Sequence, residues 1–136
     1  MALYLLDTNI ISALMQTPEG PAMTRVVSLL QASSPARIGL SVVVQCELRF
    51  GLRRKSHPRW QRRYEETLEL MELFPLDSAI AEPYAELRRT LESAGTPIGA
   101  NDTLIAAHAL ALDATLVSAD AEFACVPGLR LENWLI

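Results

Sequence analysis

The sequence predicts an α/β fold of three layers, with a central, mostly parallel sheet of four or five strands and helices on both faces. Short apolar runs alternate with longer segments whose apolar residues recur at helical spacing. The first run, Leu3–Leu6, is apolar throughout, as expected of a strand that is buried on both faces. Half of the 136 residues are hydrophobic, which is enough for one domain over residues 1–136 with its own core.

Apolar runs bounded by turn-forming and capping residues predict the strands. The first run leads directly into Asp7, and the run at 115–118 leads into Ala119 and Asp120. The run at 74–76 contains Pro75, which is typical of an edge strand. The predicted strands are residues 3–6, 37–40, 74–76, 115–118 and 129–131.

Caps and apolar stripes predict helices between these strands. Ser41 is a favourable N-cap, Pro58 is a favourable first helical residue, and Gly95 is a natural C-terminal stop. Asp77 is expected to cap the helix that contains Pro83, so that helix is expected either to kink or to start late. The helices are predicted to begin near residues 10, 23, 42, 58, 78 and 103.

Composition argues against several classes of protein. No basic residue precedes Arg25, and Asp7 interrupts the first apolar run, which argues against a secretory signal. The longest uncharged runs, such as residues 8–18, are shorter than the roughly 18 residues of a membrane span. Cys46 and Cys125 are far apart and form no CxxC pair, which disfavours a zinc site or a disulfide framework. We therefore expect a cytoplasmic protein without a membrane segment.

Positive charge is concentrated in one stretch, although the net charge is −4. Seven of the 12 basic residues lie between Arg49 and Arg63, with no acid among them. Such a stretch can bind phosphate groups whatever the overall sign of the protein. A solvated helix face beside a loop explains the pattern equally well. The candidate phosphate-binding residues are Arg53, Arg54, Lys55 and Arg59.

Four acids stand where ordinary surface acids are not expected. Asp7 and Asp120 each follow a buried strand, and the carboxyl ends of parallel strands share one edge of a sheet. Asp102 lies in the first turn of an apolar helix, and Glu47 lies about two turns into the helix that follows the second strand. The alternatives are caps or turns at the three aspartates and, for Glu47, an ion pair with a nearby arginine.

Four carboxylates in one cleft would raise one another's pKa, and a divalent cation removes that conflict. Mg²⁺ and Mn²⁺ prefer oxygen ligands, and such ions polarise phosphoryl oxygens and activate water. Asp7 and Asp102 are the best candidate ligands. Asp120 is expected to bind the ion only when substrate is present, or through water. Glu47 is expected to orient the attacking water or to hold a metal-bound water.

Short polar side chains beside the acids suit hydrogen bonds to the carboxylates. Capping explains two of them, Thr8 and Asn101, equally well. His108 does not fit the role of a general base, because it lies six residues after Asp102, about 240° around the helix. It is expected on the far side, as a packing or surface residue. The candidates beside the acids are Thr8, Asn9, Asn101 and Ser118.

The chain resembles the PIN-domain ribonucleases, and in particular the VapC toxins of bacterial and archaeal toxin–antitoxin pairs. The matching segments span nearly the whole chain in the order typical of the family. Ser118 stands where these toxins often have threonine, and Ala121 and Cys125 stand where charged residues are common. The segments are Leu5–Asn9, Ser41–Gly51, Thr96–Asp102 with Leu104–His108, Ser118–Asp120 and Val126–Trp134.

The resemblance implies a PIN-like three-layer sandwich formed by a single PIN domain. It implies an endoribonuclease that depends on Mg²⁺ or Mn²⁺ and cuts tRNA or ribosomal RNA at a structured loop. It implies an acidic site, a homodimer, and a VapB-like antitoxin whose tail fills the groove. The acidic site consists of Asp7, Glu47, Asp102 and Asp120.

Three other functions compete with this one. A protein that binds RNA without turnover would have the same basic stretch, although the complete set of acids argues against it. A DNA nuclease or another metal-dependent phosphodiesterase is chemically possible, because the acids do not contact the sugar. A signalling receiver also places acids at a parallel sheet edge, but it requires a lysine on a late strand. The only lysine here is Lys55, in the basic stretch.

Overall fold

The computed structural model describes residues 2–136 and contains one sheet of five strands. The strands are β1 (Leu3–Leu6), β2 (Arg37–Ser41), β3 (Glu72–Phe74), β4 (Thr115–Val117) and β5 (Arg130–Glu132). Their order in the sheet is β3-β2-β1-β4-β5, and all four pairings are parallel. The predicted α/β fold around a mostly parallel sheet is therefore confirmed.

Helices connect most of the strands and cover the sheet. Ser41, the last residue of β2, caps the third helix as predicted, with its Oγ accepting from the Val43 N–H at 3.1 Å. Short 3₁₀ turns occupy Ser78–Ile80 and Ala121–Cys125. The helices are α1 (Thr8–Gln16), α2 (Pro21–Gln31), α3 (Val42–Arg54), α4 (Pro58–Glu69), α5 (Ala81–Ser93) and α6 (Ala100–Ala111).

The core lies on both faces of the sheet. Leu5 and Leu6 are adjacent in β1 and point to opposite faces, yet both are fully buried. The same holds for Leu116 and Val117 in β4. Since both faces of the central strands are covered by helices, only their carboxyl ends are free to present polar side chains. No helix within residues 2–136 is long and apolar enough to span a membrane.

Several element boundaries differ from the sequence prediction by a few residues. The third strand is Glu72–Phe74 rather than 74–76, because Pro75 has no N–H to donate to the sheet and ends the strand. Helix α6 begins at Ala100 rather than at 103, with Gly99 as its cap. Pro83 lies in the first turn of α5, after a 3₁₀ turn, so the predicted late start is observed.

Gly39 allows β2 and β3 to approach closely. A Cβ atom at this position would lie 2.2 Å from the backbone oxygen of Glu72 and 2.6 Å from the ring of Phe74. Since neither distance is compatible with a side chain, only glycine fits between these strands. This contact helps to fix β2, whose carboxyl end starts α3.

Candidate active site

The register of β1 and β4 brings Asp7 and Ser118 together. Leu6 pairs with Val117, and the Asp7 N–H donates to the Val117 carbonyl at 2.9 Å, so the next residue of each strand lies at the same edge. The Asp7 side chain is buried, with only 5% of its surface exposed. Its Oδ2 accepts from the Ser118 hydroxyl at 2.7 Å, and its Oδ1 accepts from the Thr8 N–H at 2.8 Å.

Asp7 is thus both the N-cap of α1 and a member of the acidic site. Burial raises the pKa of its carboxyl, because an apolar environment disfavours the ionised form. The hydrogen bonds from Ser118 and Thr8 oppose this effect, while the charges of Glu47 and Asp120 add to it. A cation near Asp7 would favour the ionised form.

Glu47 lies on α3 and is held by Thr8. The Thr8 Oγ1–H donates to Glu47 Oε1 at 2.7 Å, across 39 residues of sequence. The expectation that Thr8 caps α1 is wrong, because Asp7 is the cap and Thr8 is the first helical residue. The Thr8 side chain instead connects the end of β1 to the acid on α3.

Asp102 and Asp120 meet across the same cleft. One oxygen from each of three acids, Asp102, Asp120 and Glu122, lies within 4.8 Å of the others. Burial, followed by the charges of the neighbouring acids, raises the pKa of Asp102 from 3.8 to about 6. Those acids are Asp7, Asp120, Glu47 and Glu122, in decreasing order of effect. The structure therefore places Asp120 against Asp102, and it places Asp7 and Glu47 near enough for their charges to raise the pKa of Asp102, although these two acids are not part of the three-oxygen cluster.

Asp120 also serves as a cap, which was the alternative role that the sequence offered for this acid. Its carboxylate accepts from the Glu122 N–H at 2.9 Å at the start of the 3₁₀ turn at 121–125, in addition to facing Asp102. That turn places Glu122 in the cluster as a fifth acid. In the sequence, the only indication that Glu122 joins the cluster was its position two residues after Asp120, outside a regular helix.

Ser118 and Asn9 organise this edge of the sheet. Ser118 Oγ accepts from the Asp120 N–H at 3.0 Å while its hydroxyl donates to Asp7. Asn9 donates from Nδ2 to Ser118 Oγ at 3.3 Å and accepts from the Ala119 N–H at 3.1 Å. Ser118 and Asn9, two of the polar side chains predicted beside the acids, thus bond to each other and to backbone N–H groups at this edge of the sheet.

Asn101 does not join this network. It is exposed in the first turn of α6, and no side-chain hydrogen bond forms to it within residues 2–136. The cap of α6 is Gly99, so neither Asn101 nor Asp102 serves as the helix cap. Of the four polar side chains predicted beside the acids, Thr8, Asn9 and Ser118 contact an acid and Asn101 does not.

The basic stretch crosses the end of α3 and the start of α4. Its outward cations are accompanied by aromatic rings, with Arg54 5.5 Å from the Phe50 ring and Arg59 5.1 Å from the Trp60 ring. Phe50 is 63% exposed, which is unusual for so large an apolar side chain. Exposed side chains include Arg53, Arg54, Lys55 and Arg59, the four phosphate-binding candidates.

None of the acids of the cluster forms an ion pair with a basic residue in the described part of the chain, residues 2–136. Within residues 2–136, the four ion pairs involve other acids, namely Glu72, Glu92, Asp113 and Glu132. The expected pairing of Glu47 with an arginine is therefore wrong. An all-oxygen set of carboxylates without a basic counter-charge matches the ligand preference of Mg²⁺ and Mn²⁺, and it disfavours binding of a bare phosphate.

The PIN-domain family model matches residues 4–129. The chain belongs to the PIN-domain family. It is 36% identical to ribonuclease VapC2 of Rickettsia felis, covering 97% of this chain and 98% of that protein. It is 29% identical to the tRNA(fMet)-specific endonuclease VapC of Salmonella typhimurium, covering 98% of this chain and 99% of that protein. The resemblance to VapC-type PIN domains is thus confirmed.

Solved PIN-domain structures agree with this assignment. The VapBC2 complex of Rickettsia felis bound to a promoter DNA fragment aligns at a TM-score of 0.90 and 33% identity, over 97% of this chain and 98% of that chain. VapBC-1 of nontypeable Haemophilus influenzae aligns at 0.84 and 31% identity, over 98% and 99%. Both structures are VapBC assemblies.

Proposed function

We propose that this PIN domain is a Mg²⁺- or Mn²⁺-dependent endoribonuclease that acts as the toxin of a toxin–antitoxin pair. The observation that carries this proposal is that Asp7, Glu47 and Asp120 lie near enough to Asp102 for their charges to raise its pKa. Within residues 2–136, none of these four acids forms an ion pair with a basic residue. The pKa of Asp102 is raised to about 6, first by burial and then by the charges of the neighbouring acids. A divalent cation bound by these acids would relieve the repulsion between their negative charges.

Each acid has a role in this site. Asp7 and Asp102 would hold the ion, and Asp120 would bind it only when substrate is present, or through water. Glu47 would orient the attacking water or hold a metal-bound water, and Thr8 fixes that carboxylate through its hydroxyl. When bound, the ion polarises a phosphoryl oxygen and lowers the pKa of water. Glu122, which shares the cluster with Asp102 and Asp120, supplies additional negative charge beside the ion.

Ser118 and Asn9 preorganise Asp7. Their hydrogen bonds reach Asp7 Oδ2 at 2.7 Å and 3.4 Å, while the Thr8 N–H holds Oδ1, so the carboxylate is oriented before an ion arrives. Such support of a ligand typically contributes 10- to 100-fold in metal affinity or activity. The short, buried Ser118–Asp7 bond is the stronger of the two.

The proposed substrate is RNA with a structured loop, in tRNA or ribosomal RNA. The Salmonella relative, a tRNA(fMet)-specific endonuclease, supports this class of substrate. Proteins that recognise specific RNAs commonly contact unpaired loop nucleotides by stacking and hydrogen bonding. Exposed cations beside aromatic rings suit the phosphates and bases of such a loop. The proposed RNA-binding residues are Arg53, Arg54, Lys55 and Arg59, all of which are exposed.

The proposed protein partners are a VapB-like antitoxin and a second copy of this chain. The complexes of the Rickettsia and Haemophilus relatives, which are VapBC assemblies, support the first partner. An antitoxin tail that fills the groove would block access to the acids. We further propose that the single PIN domain acts in the cytoplasm, where its RNA substrates and its antitoxin are synthesised.

A cleavage assay tests the proposal. Purified protein is incubated with total tRNA and ribosomal RNA in Mg²⁺ or Mn²⁺, and the RNA ends are sequenced. Asp7→Asn keeps the side-chain oxygen that caps α1 but removes the charge, so it is expected to abolish cleavage without unfolding the chain. Glu69→Gln, on the exposed face of α4, removes one negative charge elsewhere and serves as the control.

The outcomes separate the competing functions. Cleavage that persists in Asp7→Asn or in excess EDTA refutes the proposal. Binding of many RNAs without cleavage, in either metal, indicates an RNA-binding protein. Cleavage of DNA in preference to RNA indicates a DNA nuclease of the same fold, and labelling of an aspartate by a phosphoryl donor indicates a receiver.

A further inference from the structure

His108 is a buried histidine that the proposed catalytic site does not use. It lies on α6, six residues after Asp102, and only 4% of its surface is exposed. Its position around the helix turns it away from the acids, as expected from the sequence. However, it is more than a packing residue, because its Nδ1 lies 2.8 Å from the Oγ of Ser41.

Ser41 connects His108 to the start of α3. Ser41 is fully buried as the last residue of β2, and its Oγ accepts the Val43 N–H at 3.1 Å. A hydroxyl can donate one hydrogen bond and accept two, so one side chain can cap α3 and bond to His108 at the same time. The hydrogen bond therefore joins α6 to the first turn of α3, across 67 residues of sequence.

The two helices that meet at this bond carry two of the four acids. Glu47 lies six residues after Ser41 on α3, and Asp102 lies six residues before His108 on α6. Six residues correspond to about 9 Å along a helix, a length over which a helix is nearly rigid. A change in the position of the bond would therefore move the two carboxylates relative to each other.

Within residues 2–136, this is the only side-chain hydrogen bond between α3 with its cap and α6. The other side-chain bonds of α3 reach elsewhere, from Gln45 and Arg49 to α4 and from Glu47 to Thr8. The hydrophobic packing between α3 and α6 is not directional, whereas a hydrogen bond has a preferred distance and angle. His108 thus supplies the directional contact between α6 and the cap of α3.

The imidazole is expected to be neutral when the site works. Burial lowers the pKa of His108 below its ordinary value, because the charged form is poorly solvated, and the charge of Asp77 only partly offsets this. A neutral imidazole can either donate from Nδ1 to the serine oxygen or accept the serine proton. Both arrangements keep the bond intact at neutral pH.

We propose that His108 is a positioning residue which, through Ser41, sets the place of Glu47 relative to Asp102. It contacts neither substrate nor ion, and it acts through the geometry of α3. This inference rests on the proposed function, because its main readout is RNA cleavage.

Three substitutions isolate the hydrogen bond from the volume of the side chain. His108→Leu removes the bond and fills most of the space. His108→Asn places an amide close to the position of Nδ1 and is expected to restore the bond. His108→Gln places its amide nearer to Nε2 and is expected to behave like the leucine variant. The control is Thr67→Val on α4, which removes a buried hydroxyl bonded at 2.7 Å within its own helix.

Steady-state kinetics in Mn²⁺ give the first measurement. His108→Leu is expected to lower kcat about 10- to 100-fold, the range for residues that orient a ligand, and to change KM less than about threefold. His108→Asn is expected to recover most of kcat. Thr67→Val, which also loses a buried hydrogen bond, is expected to leave kcat within about twofold of the wild type.

A double-mutant cycle with Glu47→Gln gives the second measurement. Because His108 acts through Glu47, His108→Leu is expected to add less than about twofold to the loss caused by Glu47→Gln. Independent, multiplicative losses would overturn the proposal. So would a His108→Leu variant whose kcat matches that of Thr67→Val.

Mn²⁺ affinity, measured by titration calorimetry without RNA, separates the two proposals. If the wild type cleaves no RNA, the proposed function fails, and the inference is then judged by affinity alone. A drop of about tenfold in His108→Leu, recovered in His108→Asn, supports it. If the wild type cleaves no RNA, the inference about His108 is overturned when the wild type and His108→Leu bind Mn²⁺ with equal affinity, or when the wild type binds no Mn²⁺.

Discussion

Substituting Asp102 by asparagine should stabilise the metal-free protein. In the folded chain the pKa of Asp102 is about 6, against 3.8 in the unfolded chain, so ionising this carboxyl above pH 6 opposes folding. A difference of this size corresponds to about 3 kcal/mol. Because Asp102 is only partly buried, solvent screens part of the repulsion, and about 1–2 kcal/mol remains.

The sign of this effect depends on pH. Between pH 4 and pH 6 the folded protein retains a proton that the unfolded chain has lost, so the stability of the wild type falls as pH rises through this range. Asp102→Asn has no carboxyl to ionise at this position, so this contribution to the fall in stability is absent from the variant. In EDTA at pH 7.5 the variant should melt about 5 °C higher than the wild type, and at pH 4 the two should nearly coincide.

Adding Mn²⁺ should reverse the order. An ion at 100 times its Kd stabilises the wild type by about 2.7 kcal/mol, while the variant, lacking a main ligand, should gain much less. Melting is followed by circular dichroism, with Glu69→Gln as a control that makes the same change in net charge. An Asp102→Asn protein that melts below the wild type in EDTA at pH 7.5 refutes the reasoning, as does a wild type whose melting ignores Mn²⁺.

Three other variants test parts of the structure. Ser118→Ala removes the 2.7 Å bond to buried Asp7 and should lower the free energy of unfolding by about 1–3 kcal/mol in urea titrations; an unchanged midpoint contradicts the assigned bond. Gly39→Ala forces a Cβ to 2.2 Å from the Glu72 carbonyl and should cost at least about 2 kcal/mol, so a protein of wild-type stability refutes the close approach of β2 and β3. Replacing four cations by glutamine should weaken RNA binding and reduce the slope of log K against log salt by up to about 3, whereas an unchanged slope places RNA elsewhere. Those cations are Arg53, Arg54, Lys55 and Arg59.

Local pattern was sufficient for most of the fold. Apolar runs and cap residues predicted five strands and six helices, and those elements are present with shifts of a few residues at their ends. The prediction failed at the third strand, where Pro75 marks the end of pairing rather than its middle. Such boundaries depend on which backbone groups find a partner in the next strand, which local periodicity does not encode.

The sequence by itself determined that Asp7 and Asp120 follow strands that end at one sheet edge, because parallel strands share that edge by construction. Only the tertiary structure decided how the side chains meet. It turned Asn101 outward, brought Glu122 in through a 3₁₀ turn, and paired Thr8 with Glu47. These outcomes depend on strand register and on the rotation of helices against one another. Both are set by packing between segments that lie tens of residues apart.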